Sequence, residues 1–202
     1  MASLQKLHGR AHDKAVFRRR IDVLARHLAD FLPDNARVLD VGCGSGTLAR
    51  TIMALRSDVS IEGIDVLVRP ETEIPVTEFD GKTIPFADKQ FDVALIVDVL
   101  HHTDDPEVIM AEARRVSKNG LVIKDHFRDG LLAETTLRFM DWFGNAAHGV
   151  RLPYNYLSRA DWRRIWSKLG LRTDRMIDRI GLYPRPFTWL FDRNLHFIAH
   201  LT

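Results

Sequence analysis

Three places in the sequence hold residue types whose spacing suits chemistry. The first is Asp40-Val-Gly42-Cys-Gly44-Ser-Gly46, an acid followed by alternating glycines, with a second acid, Asp65, 25 residues after Asp40. Glycines let a backbone come close to a ligand, and a helix starting there offers free N–H groups and its positive dipole end. An acid ending the following strand can accept two hydrogen bonds from ribose hydroxyls. The other two places are His101-His102 and Asp125-His126. Imidazoles titrate near neutral pH and are candidates for general-base work.

These residues need elements to hold them. Residues 36–41 form a short apolar run that predicts a buried strand, broken by the glycines and resumed as a helical pattern over Thr47–Arg56. Val59–Val66 and Phe91–Val97 predict further strands, with an irregular, Pro-punctuated segment, Arg69–Asp88, between them. Asp105-Pro106 opens a helix that runs to about Ser117, and Asn119-Gly120 turns the chain into strand Leu121–Lys124. Leu131–Phe143 predicts a helix, and Ser158-Arg-Ala-Asp161 opens another that ends at Leu169-Gly170. Two closing strands, within 171–180 and 193–201, flank the Pro-rich loop Tyr183-Pro-Arg-Pro186 and pair as an antiparallel edge. Strands alternating with helices indicate an α/β protein with a parallel sheet, whose ligands sit at the carboxyl ends of the strands. That is where His101, His102, Asp125 and His126 fall. Ahead of the sheet, Phe17, Ile21, Leu24, Leu28 and Phe31 predict an amphipathic helix within Asp13–Leu32, ended by Pro33.

The glycine spacing selects the ligand. A dinucleotide fingerprint wants its third glycine where Thr47 stands, and Gly81-Lys82-Thr83 lacks the glycine a phosphate loop needs at Val76. Val38-Leu-Asp-Val-Gly-Cys-Gly-Ser-Gly46 instead resembles the first motif of class I S-adenosylmethionine-dependent methyltransferases. The likeness continues through Glu62-Gly-Ile-Asp65, Phe79-Asp80, Ile84-Pro-Phe86, Phe91-Asp92, Val99-Leu-His-His102, Asp105-Pro106, Arg115-Val116 and Gly120. In that order the sequence is similar to the small-molecule branch that includes quinone-biosynthesis methyltransferases. Asn119-Gly120 stands where that family usually has Pro-Gly.

The resemblance implies a Rossmann-like, doubly wound sheet of seven strands, mostly parallel with an antiparallel C-terminal edge. It implies S-adenosylmethionine as cofactor, S-adenosylhomocysteine as product, and a cofactor site of Asp40, Gly42, Gly44, Gly46, Asp65, Val66, Asp80, Gly81 and Asp98. In it, Asp40, Gly42 and Gly44 hold the methionine end, Asp65 the ribose, and Asp80 with the Gly81 N–H the adenine. Methyl transfer from a sulfonium can rest largely on holding donor and acceptor in contact. An oxygen acceptor gains from a base, for which Asp125-His126 and His102 are the candidates. Six aromatics between Phe127 and Tyr156 (Phe127, Phe139, Trp142, Phe143, Tyr154 and Tyr156) are expected to wall an apolar or aromatic acceptor pocket. The alternative function is a non-catalytic S-adenosylmethionine-binding sensor or partner subunit.

Composition bounds the rest. The 202 residues suit one domain, divided into a helical lid (1–35), a cofactor-binding half (36–127), an acceptor-pocket insertion (128–160) and a closing segment (161–202). The lid helix is expected to cover the ligand entrance while Arg18, Arg19 and Arg20 stay solvated. Cys43 is the only cysteine, which fits a reducing cytoplasm, and it reads as a packing residue. No metal is expected; a set joining Asp125-His126 to His148 has no recognisable ligand spacing. Lys/Arg outnumber Asp/Glu by five in residues 1–20 and in 128–202, while 21–127 carry eight excess acids. The acidic middle argues against nucleic acid, and the basic ends are compatible with peripheral membrane contact. No apolar run is long enough to span a membrane, and residues 1–20 lack the apolar stretch of a secretory signal.

Overall fold

The computed structural model describes residues 17–145, 154–184, 188–192 and 194–202, with backbone alone at 141–145, 189 and 190. Seven strands form one sheet: β1 Arg37–Val41, β2 Ser60–Asp65, β3 Val76–Glu78, β4 Val93–Val97, β5 Leu121–His126, β6 Thr173–Ile177 and β7 His196–Leu201. Their order is β3-β2-β1-β4-β5-β7-β6. The first five strands run parallel, and β7 enters antiparallel between β5 and β6. The helices are α1 (17–29), α2 Thr47–Leu55, α3 Pro106–Val116, α4 Ala133–Asn145, α5 Arg159–Lys168 and the short α6 Thr188–Phe191.

Period-two alternation sends the central strands' side chains to two cores, as expected of a sheet covered on both faces. Leu39, Ile96, Ile123 and Phe197 pack with Ile109, Trp162 and Trp166 from α3 and α5. On the other face Val38, Leu95, Val122 and Ile198 meet Leu24, Leu28 and Ile52 from α1 and α2. Both helices that open on the sequence signals are capped. Asp105 accepts the Glu107 N–H at 2.9 Å ahead of Pro106, and Ser158 with Asp161 forms a reciprocal capping box.

Two expectations need correction. The segment read as irregular contains β3, which is three residues long, lies at the sheet edge and buries almost nothing, so it has no apolar pattern to read. As expected, β6 and β7 pair antiparallel at the end of the sheet, with β6 outermost and β7 paired on both sides. Arg20 is not solvated. It is half-buried and reaches Asp98 at 3.7 Å, whereas Arg18 and Arg19 are exposed. The helix itself buries Leu24, Ala25, Leu28 and Ala29 in the core, so it is packed as well as placed over a cavity.

Gly120, at the turn into β5, has φ +100°, and a β-carbon there would run into the Leu201 carbonyl oxygen of β7. Backbone cannot yield as a flexible side chain can. Gly120→Ala is therefore expected to destabilise the fold by about 3 kcal/mol or more. Chemical denaturation checks this; a loss under about 1 kcal/mol would show that the turn can shift.

Candidate active site

The cofactor end is built on the loop between β1 and α2. Gly42 takes φ +75°, and any β-carbon there would strike Val99, so the tight approach of this loop to the end of β4 requires glycine. Asp65, ending β2, braces the loop: its carboxylate accepts the Gly44 N–H at 2.8 Å and the Leu67 N–H at 3.0 Å. Gly46 is the N-cap of α2, whose free N–H groups face the same loop. Asp40 lies one residue before the end of β1 and is almost fully buried. Burial, reinforced by the nearby Asp65 charge, pushes its pKa up to about 7. Cys43 lies over Gly63, with no room for a β-carbon between them, and burial beside Asp40 and Asp65 pushes its thiol up to about 12. That environment suits packing and not nucleophilic attack.

Asp80 and Gly81 stand on the loop after β3. The Asp80 carboxylate accepts the N–H groups of Lys82 and Thr83 at 2.8 and 2.7 Å, and these bonds hold its pKa below the usual range. A β-carbon at Gly81 would lie 3.1 Å from Val66, so the ends of β2 and β3 approach closely there. A cavity of about 580 Å³ opens beside the glycine loop, lined by Asp40, Gly42, Gly44 and, farther along, Asp98, His102 and His126. Asp65, Val66, Asp80 and Gly81 lie outside this lining and extend the site past β2 and β3. A volume of this size suits a nucleoside-sized ligand with a small second molecule. The glycine cradle, the carboxylate at the end of β2 and the buried acid at β1 fit the methyl donor that the sequence resemblance implies.

Ionisable groups gather at the other end of the cavity. Asp98, just past β4, adopts a left-handed φ of +56° and receives the ammonium of Lys124. Lys124 is completely buried, which for a lysine demands a partner. Burial alone would raise the Asp98 pKa, but Lys124, His126 and Arg20 hold it well below the usual carboxylate range. Asp125, 1% exposed, engages two imidazoles through one oxygen: His101 Nδ1 at 2.8 Å and His126 Nδ1 at 3.1 Å. The attraction of His101 and those two hydrogen bonds outweigh its burial and keep Asp125 ionised. Since a carboxylate only accepts, both Nδ1 atoms carry the proton. Burial and the Lys124 charge lower His126 to about 4, so its imidazole is neutral at pH 7.

The surrounding elements fix this cluster. The ring of His101 stacks on Tyr156 at 5.1 Å, and Tyr156 donates its hydroxyl to the Leu137 carbonyl on α4 at 3.2 Å. The Trp162 indole N–H, set by the capped start of α5, donates to the His126 carbonyl at 2.9 Å. His196, opposite His126 in the β5–β7 ladder, donates Nε2–H to the Phe191 carbonyl at 3.0 Å in its neutral form, which burial and Lys124 favour.

The structure thus brings Asp98, Asp125 and His126 together and adds residues the sequence did not assign to the site. Lys124 and Arg20 are among them, and the second imidazole on Asp125 belongs to His101; His102 lines the cavity beside it. A lysine in the otherwise apolar strand predicted at Leu121–Lys124 is the one sequence signal by which Lys124 could have been found. The six-aromatic wall is corrected. Phe127 is core, stacked on Phe197 at 4.4 Å, and Phe139 faces solvent at 53% exposure. Tyr154 packs with Ala133 and Leu195, while Tyr156, with Leu137 and Met140, lines the cavity. The side chains of Trp142 and Phe143, and all of His148, lie outside the described residues.

A seven-stranded sheet in this order, with a glycine loop after β1 and acids closing β1 and β2, defines a Rossmann-like α/β protein that binds a nucleoside cofactor. A family model described as a methyltransferase domain matches residues 12–175, and the chain belongs to the S-adenosylmethionine-dependent methyltransferase family. It is 30% identical over 200 residues to a ubiquinone biosynthesis O-methyltransferase of Cereibacter sphaeroides, covering 84% of this chain and 74% of that one. It is 35% identical over 109 residues to the O-methyltransferase rstn1 of Aspergillus nomiae, covering 46% of this chain. The match spans about half of that relative, 48% of its length. A solved S-adenosylmethionine-dependent methyltransferase of Mesorhizobium loti shares the fold, with a TM-score of 0.63 at 16% identity over 87% of this chain and 95% of that one. The family's cofactor is S-adenosylmethionine and its product S-adenosylhomocysteine. Among the described residues no helix is long and apolar enough to cross a membrane.

Proposed function

We propose that the protein methylates an oxygen of a small acceptor with an apolar or aromatic body. The observation that carries this reading is the Asp125 carboxylate holding two imidazoles at the far end of the cavity that begins at the glycine loop. The matched relatives named as O-methyltransferases support oxygen as the methylated atom. Bound S-adenosylmethionine supplies a methyl group on a positively charged sulfur, an in-line donor with a good leaving group. Asp40, Gly42, Gly44 and Gly46 would hold its methionine end, Asp65 and Val66 the ribose, Asp80 and Gly81 the adenine, and Asp98 the approach to the acceptor. His126 would take the acceptor's hydroxyl proton at Nε2, while Asp125 orients the ring and stabilises the imidazolium. Tyr156, Leu137 and Met140 supply apolar contact for the acceptor. Helices α1 and α4 would enclose the reactants, and the lone thiol Cys43 fits a cytoplasmic enzyme.

Incubation with methyl-labelled S-adenosylmethionine and a panel of phenols, hydroxyquinols and matched amines tests the reading. Label is expected in the hydroxyl compounds. Transfer only to amines would replace the oxygen acceptor, and binding without transfer to any small molecule would favour a sensor.

Asp40 gives a second expectation. With its pKa near 7, it is partly protonated below neutrality. The ammonium of a bound methionine moiety favours the carboxylate, so binding S-adenosylhomocysteine at about pH 6 should release up to about one proton, and almost none at about pH 8.5. Calorimetry in buffers of different ionisation enthalpy reads this directly. Buffer-independent heats at about pH 6 would remove Asp40 from the methionine end.

A further inference from the structure

We propose that Asp98, His101 and His126 form a binding site for a divalent first-row metal ion, of the zinc or ferrous type, in the wall of the acceptor cavity. One ligand atom from each of the three lies within 4.8 Å of the others, and Asp98 Oδ1 is 3.7 Å from His126 Nε2. Ligand bonds of about 2.0–2.2 Å place neighbouring donors about 3–3.5 Å apart, so the set would have to close by up to about 1.5 Å around an ion. Two imidazoles and one carboxylate on one side of an ion leave its other side open.

A second observation points the same way. Asp125 accepts the Nδ1 proton of both histidines, which fixes each ring as the tautomer with its lone pair on Nε2. Metal-binding histidines characteristically give their other ring N–H to a carboxylate in this manner. Here one buried carboxylate orients both rings, and Tyr156 packed on His101 and His196 beside His126 limit their rotation. A base needs one oriented imidazole; the second, held by the same oxygen, is what a chelating pair needs.

Charge decides what else binds. Asp98 and Asp125 already face Lys124, whose ammonium sits on Asp98, and Arg20 at 3.7 Å. A divalent ion adds two positive charges to that balance, so the ion favours an acceptor that brings negative charge as a phenolate, an enediolate or a carboxylate next to the hydroxyl. This use of the ion rests on the proposed oxygen methylation; the site itself does not. An ion there would draw an acceptor oxygen to its open side and ease loss of the hydroxyl proton to solvent. His126 Nε2 would then be a ligand, and the base role assigned to it above would describe the metal-free protein.

The test is titration of untagged, chelator-treated protein with Co²⁺ alone, followed by visible absorption, with thermal melts to certify folding of each variant. Wild type is expected to bind about one equivalent with ligand-field bands. Asp98→Asn and His126→Ala should each weaken binding at least about tenfold, and Asp125→Asn about 10–100-fold through loss of ring orientation. Lys124→Met, which removes the competing cation, should tighten it. No saturable binding by wild type overturns the proposal, and so does binding that both Asp98→Asn and His126→Ala retain. Binding by Lys124→Met but not by wild type also overturns it, since the ammonium then holds the ion's place. S-adenosylhomocysteine affinity measured on the same samples keeps failure of the metal site separate from failure of the methyltransferase reading.

Discussion

Replacing His126 by alanine is expected to lower methyl-transfer turnover about 10²–10⁴-fold while leaving S-adenosylhomocysteine affinity nearly unchanged. The ring faces the cavity, its Nδ1 is committed to Asp125, and it packs against His101, Tyr156 and His196. The backbone carbonyl that receives the Trp162 indole remains in the variant, so α5 keeps its anchor on β5. His126→Gln, closer in volume, separates loss of the imidazole from the cavity that alanine leaves among His101, Tyr156 and His196. Both variants should be slow, and both should melt close to wild type. Normal turnover in His126→Ala with a good acceptor would leave catalysis to proximity alone.

Asp65→Ala should act at the opposite end. It removes the acceptor for the Gly44 and Leu67 N–H groups as well as the proposed contact to ribose. Losing a charge-assisted contact costs about 1.5–3 kcal/mol, or roughly 10–150-fold in affinity for S-adenosylhomocysteine. The loop slackens at the same time, which adds to the loss. Asp65→Asn keeps one acceptor oxygen and should fall between the two. Calorimetric affinities that match across all three proteins would contradict a role for Asp65 in cofactor binding.

The cofactor half was legible because its requirements are local. A glycine at positive φ, an acid at the end of a buried strand and a capped helix start each leave a mark on neighbouring residues, and Gly42, Asp65 and Asp105 carry those marks. β3 left none, since one half-buried and two exposed residues at an edge need no apolar pattern. The acceptor end depends on contacts between distant segments. Lys124 meets Asp98 only because β4 and β5 pair Val97 with Lys124, and Arg20 reaches the same carboxylate from a helix whose apolar stripe turns elsewhere. Aromatic content could not separate wall from core, because Phe127 and Tyr156 are equally buried and only one faces the cavity. Which of two adjacent histidines meets Asp125 depends on the single turn of 3-10 helix at Leu100–His102, and that turn selects His101.

A crystal structure with S-adenosylhomocysteine bound tests the central claim most directly. The ligand is expected to lie along the glycine loop with its adenosine beside Asp65 and its sulfur directed toward the face made by Asp98, His101 and His126. A sulfur directed away from that face, with the histidines walled off from the cofactor, would contradict the placement of the methyl-transfer site.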